Sequence, residues 1–103
     1  MKILGRCLAL LVLVLTTVYG LADSGAEFKT RCAPCHGARG AGDTKLGENL
    51  RVRDLGSAEV QKQSDAELTE IISKGKSKMP AYDRKLTREE INDIVKYIRT
   101  LKK

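Results

Sequence analysis

The strongest pattern in the chain is at its C-terminal end. Apolar residues recur there at intervals of three and four: Ile91, Ile94, Val95, Ile98 and Leu101. That spacing draws a single apolar stripe along a helix. Thr87-Arg88-Glu89-Glu90, just ahead of it, has the form of a capping box. Arg99, Lys102 and Lys103 fall in the last turn, where cations suit the helix dipole. A shorter stripe of Leu68, Ile71 and Ile72 predicts a helix over about Asp65 to Lys74. Ser64 caps it, Glu67 completes a second box, and Gly75 is a natural stop. A third helix is expected from about Ser24 to Ala33, with Ser24 as N-cap and with Phe28 and Cys32 four apart on one face.

Between the first two of these in chain order lies a long stretch, about Gly37 to Gln63, without a sustained period. Glycines 37, 40, 42 and 47 suit tight turns and close backbone approach, and residues near Ser57 to Gln63 have room for one short helix. A loop this long in a small domain wraps or binds something. No segment alternates as a strand and no internal repeat occurs, so the expected class is all-α: three main helices around one loop-lined centre.

The N-terminal end follows a different pattern. Lys2 and Arg6 precede an apolar run from Cys7 to Leu15, and Gly20-Leu21-Ala22 places small residues ahead of Asp23. This is the layout of a secretory signal peptide, giving 1–22 as leader and 23–103 as the functional domain. The run is shorter than the ~20 apolar residues that a spanning helix needs, and Thr16, Thr17 and Gly20 interrupt its end. Export is therefore expected, to a periplasm or a lumen-like compartment, in preference to an uncleaved anchor or stable membrane insertion.

Composition sharpens this picture. The 103-residue chain carries a formal charge of +6. With the leader set aside, two cysteines, one histidine and one methionine remain. One Phe and no Trp make a thin apolar core, and chains of this size need a covalent or cofactor staple. Two cysteines are too few for a disulfide framework. The basic residues are interleaved with acids, which argues against nucleic acid as a partner.

The staple is legible in Cys32-Ala33-Pro34-Cys35-His36. The spacing C-x-x-C-H reads as c-type haem attachment. Two cysteines three apart can each form a thioether to one haem vinyl group, and the adjacent histidine is then held beneath the iron as proximal ligand. A thioredoxin-like reading lacks its βαβ context. A zinc reading lacks ligands, since four are usual. For the second axial position, a second histidine is excluded because His36 is alone. Met79 is the remaining methionine, set in Lys76-Ser77-Lys78-Met79-Pro80 with no apolar flanks to explain it as core filling. A lysine ligand or an open position is the alternative. Leu50, Leu55, Leu68, Ile71, Ile94 and Ile98 are candidates for the apolar pocket wall. Tyr82 either borders the haem edge, within reach of a propionate, or is a half-exposed loop aromatic.

On these residues the chain resembles the small class I monohaem cytochromes c of bacterial periplasms. The likeness also draws on Asp54-Leu55, on Ser64-Asp65-Ala66-Glu67-Leu68 and on Tyr97-Ile98. It implies that the first and last helices cross through a small residue and an aromatic pair, which would be Phe28 and Tyr97. The family's crossing glycine usually falls at the position of Ser24; here Gly25 is one residue off. The family also often carries Gly-Pro-Asn-Leu where this chain has Gly47-Glu48-Asn49-Leu50. The resemblance implies that a carbonyl of this segment accepts a hydrogen bond from the ligand imidazole.

The function that follows is one-electron carriage, with no reaction of the chain's own, between redox partners of respiratory or photosynthetic type. The alternatives are a haem-bearing subunit of a larger oxidase or dehydrogenase, a haem enzyme with a labile Met79, and a thiol redox protein. Lys74, Lys76, Lys78, Arg84 and Lys85 bracket Met79 and would attract an acidic partner.

Overall fold

The computed structural model describes residues 24–103; the leader expected over 1–22 lies outside them. Every regular element among the described residues is a helix, in keeping with the all-α expectation, and no helix among them is long and apolar enough to cross a membrane. The first helix, α1, runs through an α-helical turn, Ser24–Glu27, a π-helical stretch, Phe28–Cys32, and a final α-helical turn, Ala33–His36. Ser24 is its first described residue. The helix therefore continues past the expected end at Ala33 and carries the whole C-x-x-C-H segment.

The π stretch has a local cause. Pro34 has no N–H to donate, and its ring crowds the carbonyl four residues back. Widening the preceding turn relieves that crowding: the Ala33 N–H bonds to the Phe28 carbonyl, five residues back. The Gly37 N–H then closes the end of α1 on the Ala33 carbonyl at 2.8 Å.

Helix α2, Lys45–Leu50, is absent from the sequence expectation. It is short, has a glycine in its middle and shows no apolar stripe. What starts it is Thr44, whose side chain accepts from the Gly47 N–H. Helix α3, Ala58–Gln61, lies in the stretch expected to hold a short helix. Helix α4, Asp65–Lys74, has the expected bounds. Its capping box is only half formed: Ser64 accepts from the Glu67 N–H, while Glu67 lines a shallow groove with Glu70 and Lys74. Helix α5, Arg88–Thr100, has the complete box. Thr87 Oγ1 accepts from the Glu90 N–H at 3.1 Å, and Glu90 Oε1 accepts from the Thr87 N–H at 3.0 Å.

The stripe on α5 is the floor of the core. Ile91, Ile94, Val95 and Ile98 are buried with Phe28, Val60, Leu68, Ile72 and Leu86. Phe28 is fully buried, and its ring meets that of Tyr97 with centroids 4.9 Å apart at 44°. This is the aromatic pair expected at the crossing, and such a pair contributes ~0.5–1.5 kcal/mol beyond its buried area. The Ser24–Glu27 turn, which includes the buried Gly25, packs on α5 beside it.

The C-terminal cations do more than complement the dipole of α5. Arg99 donates to the Gln61 carbonyl at 2.8 Å, the Gln63 carbonyl at 2.6 Å and Asp65 at 2.8 Å. Gln61 Nε2 in turn donates to the carbonyls of Leu55 and Ile98, and the Lys103 N–H to that of Gly56. Through these bonds the end of α5 fastens the segment between α2 and α4, which would otherwise have few regular hydrogen bonds of its own.

Candidate functional site

The elements enclose a cavity of about 390 Å³, within the range of small-molecule and cofactor sites. Cys32, Cys35, His36 and Met79 all line it. So do all six residues expected in the wall: Leu50, Leu55, Leu68, Ile71, Ile94 and Ile98. Sequence reasoning missed Phe28, Val60 and Ile72 as further apolar liners. The sequence pattern puts Phe28 on the face of Cys32 and the resemblance puts it at the helix crossing, and Val60 sits in a four-residue helix too short to show a stripe.

Helix geometry brings the first three residues together. Cys35 and His36 follow Cys32 by three and four positions, so all three share one face of α1. Helix α2 braces this end of α1. Thr44 Oγ1 donates to the Pro34 and Cys35 carbonyls at 3.0 and 3.1 Å, and the buried Gly47 lies directly against the Cys35 carbonyl. A Cβ at position 47 would fall inside van der Waals distance of that oxygen. Gly47 is thus a close-approach glycine, and α2 exists to press on the cysteine-bearing turn.

Met79 comes from the turn that follows α4. Helix α4 ends at Gly75, whose φ of 75° and ψ of 171° lie in a region essentially reserved for glycine. The chain then turns tightly. Lys76 N–H bonds to the Met79 carbonyl at 3.1 Å and Met79 N–H to the Lys76 carbonyl at 3.0 Å, with Ser77 at φ 55°. Met79 is half-buried and packs on the core. A cysteine pair and a methionine more than forty residues apart therefore face one enclosed space.

The ionisation of the site matches this use. Burial, with Glu27 nearby, pushes the Cys32 thiol up to about 11. A thiol so raised is protonated at neutral pH, whereas thiol exchange needs a thiolate, which argues against Cys32 as an attacking thiol. Burial holds the His36 imidazole below its usual range, in the neutral form that ligates metals. His36 Nδ1 is buried with no hydrogen-bond partner among the described residues. The bond expected from it to a carbonyl of Gly47 to Asn49 is not formed. Two of those acceptors end α2: the Gly47 carbonyl takes the N–H groups of Arg51 and Val52, and the Glu48 carbonyl takes that of Arg51. An orphaned buried imidazole nitrogen at a cavity wall marks a functional group rather than packing. The cysteine pair, the neutral imidazole, the thioether and the apolar walls fit a haem.

Tyr82 also lines the cavity, and its hydroxyl donates to the Arg31 carbonyl at 3.4 Å. Lys85 Nζ lies 5.6 Å from the centre of its ring. Of the basic residues bracketing Met79, Lys76 and Lys78 line the cavity, and Lys74 and Lys76 line the adjoining groove. Arg84 and Lys85 are exposed on the segment that follows. None of the five forms an ion pair among the described residues.

The model of the family described as "Cytochrome C oxidase, cbb3-type, subunit III" matches residues 21–98. Solved structures are similar as well, among them two c-type cytochrome structures. One, described as KustC0563 c-type cytochrome, is 37% identical with a TM-score of 0.73, covering 79% of this chain and 99% of its own. The other, a tyrosine-to-phenylalanine mutant of Kustc0563, is 38% identical with a TM-score of 0.70, covering 78% and 99%. No curated protein matches the chain. The chain belongs to this cytochrome family: it is a small monohaem c-type cytochrome with the all-α fold, and its cofactor is covalently bound haem c with iron.

The packing of α2 on α1 sets an expectation. Gly47→Ala drives a methyl group into the Cys35 carbonyl, at a cost of about 1–3 kcal/mol. It is expected to lower the haem bound per polypeptide, read as the ratio of haem to protein absorbance after denaturation.

Proposed function

We propose that this cytochrome is a freely diffusing one-electron carrier in which Cys32 and Cys35 hold the haem by thioethers and His36 and Met79 ligate its iron. The observation that carries the reading is the convergence of these four side chains on one apolar cavity. The haem supplies reversible one-electron exchange. Each further part belongs to the chain. The turn ending α1 fixes the cysteines and the imidazole together, and burial keeps the imidazole neutral. Gly75 and the turn at Ser77 bring the thioether to the cavity. The leucines and isoleucines exclude water, which favours the less charged, reduced state. With both axial positions taken, no coordination site is left for a substrate, so the role is carriage and not catalysis.

The cations around Met79 give the carrier a docking face for an acidic partner. Lys76 and Lys78 are exposed, border the cavity and have no acidic counterpart among the described ion pairs. Export accords with residues 1–22, whose basic start, short apolar run and small residues have the form of a secretory leader. A second reading, a haem-bearing subunit of an oxidase, is favoured by the description of the matching family. Native mass of the purified protein separates the two: the carrier runs as one small chain, the subunit with larger partners at fixed ratio.

Replacing the axial thioether tests the coordination. Met79→Ala is expected to turn the ferric haem from low spin towards high spin and to let carbon monoxide bind the ferrous form. Unchanged spectra would reject Met79 as the ligand. Small redox reagents test the charged face. Oxidation of the reduced protein by ferricyanide is expected to slow as salt rises, and oxidation by a cationic cobalt complex to quicken. Salt-independent rates with both would dismiss docking through these lysines.

A further inference from the structure

The charge on the cavity wall is one-sided. Arg31, Arg51, Arg53, Lys76 and Lys78 line it, and no carboxylate does. Two of these cations are already engaged, Arg31 with Glu27 at 2.9 Å and Arg53 with Glu59 at 3.3 Å. Lys76 and Lys78 belong to the turn that delivers Met79. Arg51 is left, with no acidic partner among the described ion pairs.

Its backbone is as unusual as its charge. Arg51 ends α2 in the left-handed conformation, φ 55° and ψ 44°. Glycine or asparagine is the usual residue there, because a side chain with a Cβ is strained in that region. An arginine at such a position is explained if its side chain has work to do. The place of α2 suggests the work. Its N-cap, Thr44, is bonded to the Cys35 carbonyl. Six helical residues rising ~1.5 Å each then carry the chain roughly 9 Å onward before Arg51. The helix leads from the turn that carries the cysteines to Arg51, an exposed residue that borders the cavity. Haem has its vinyl groups on one edge and its two carboxylates on the opposite one.

We infer that Arg51 is a positioning residue that pairs with a haem propionate, fixing the far edge of the cofactor as the cysteines fix the near one. This rests on the haem reading above. A guanidinium offers a planar fork suited to a carboxylate. Held there, it stabilises the ionised propionate and, by its positive charge, the reduced haem. Arg53, two residues on and paired with Glu59, contributes less.

The test uses the haem-loaded full chain and four variants: Arg51→Gly, Arg51→Gln, Arg51→Lys and, for comparison, Arg53→Gln. Midpoint potential is followed against pH by spectroelectrochemistry, and each protein is also melted. Arg51→Gly relieves the left-handed backbone, so it is expected to melt no lower than the parent. Its potential is nonetheless expected to fall, and the inflection from propionate ionisation to move up by about one pH unit or more. Arg51→Gln is expected to behave likewise, Arg51→Lys to retain most of the parent profile, and Arg53→Gln to shift less than either neutral variant. Parent-like potentials and pH profiles in Arg51→Gly and Arg51→Gln would overturn the inference and leave Arg51 as a helix cap only. A fall in potential seen only in variants that also melt lower would overturn it too. A parent protein without haem would overturn the haem reading and this inference with it, and is seen before any variant is compared.

Discussion

The fold is organised around a cavity, and everything else in it follows from the need to fill and seal that space. Apolar side chains from every helix face about 390 Å³. Left without a cofactor, these apolar walls would stand open to water, forfeiting roughly 25 cal/mol for each Å² of apolar surface left unburied. A chain with one Phe and no Trp cannot close the space with its own residues. A large, flat, apolar cofactor supplies the missing core, and covalent attachment makes that core permanent. Stability and function therefore share one object: the group that fills the centre is also the group that carries the electron.

This dependence explains where the backbone is unusual. The π stretch of α1 lies just before Pro34 and aligns the turn bearing Cys35 and His36. Gly47 lets α2 press on that turn. Gly75 ends α4 in a conformation that few other residues adopt, and the next four residues form the tight turn that presents Met79. Arg51 is left-handed at the end of the brace. Residues of the π stretch, Arg51 and Ser77 line the cavity, and Gly75 leads into the turn that carries Met79 to it, whereas α5, the regular floor, has no such departure.

The same division governs what could be read from the sequence. Helices α4 and α5 were legible because their signals are local: stripes at three and four, caps at Ser64 and Thr87, a stop at Gly75. The C-x-x-C-H segment was legible because its spacing alone is the signal. Four of the six expected wall residues, Leu68, Ile71, Ile94 and Ile98, lie on those stripes; Leu50 and Leu55 come from the aperiodic stretch and line the cavity as well. Helix α2 was not legible, since Gly47 weakens it locally and its reason to exist is the Cys35 carbonyl, a contact across the chain. The hydrogen bond expected at His36 Nδ1 is not made among the described residues, where the carbonyls of Gly47 and Glu48 take the N–H groups that end α2. Local propensity does not report such competition for an acceptor.

The central claim is that iron in this chain is held between a ring nitrogen from α1 and a sulfur from the turn after α4. Iron K-edge X-ray absorption on the purified, oxidised parent protein measures that directly. The expected result is six-coordinate iron with five nitrogen neighbours and one sulfur neighbour. A shell of six nitrogens, a five-coordinate iron, or no iron in the protein would contradict it.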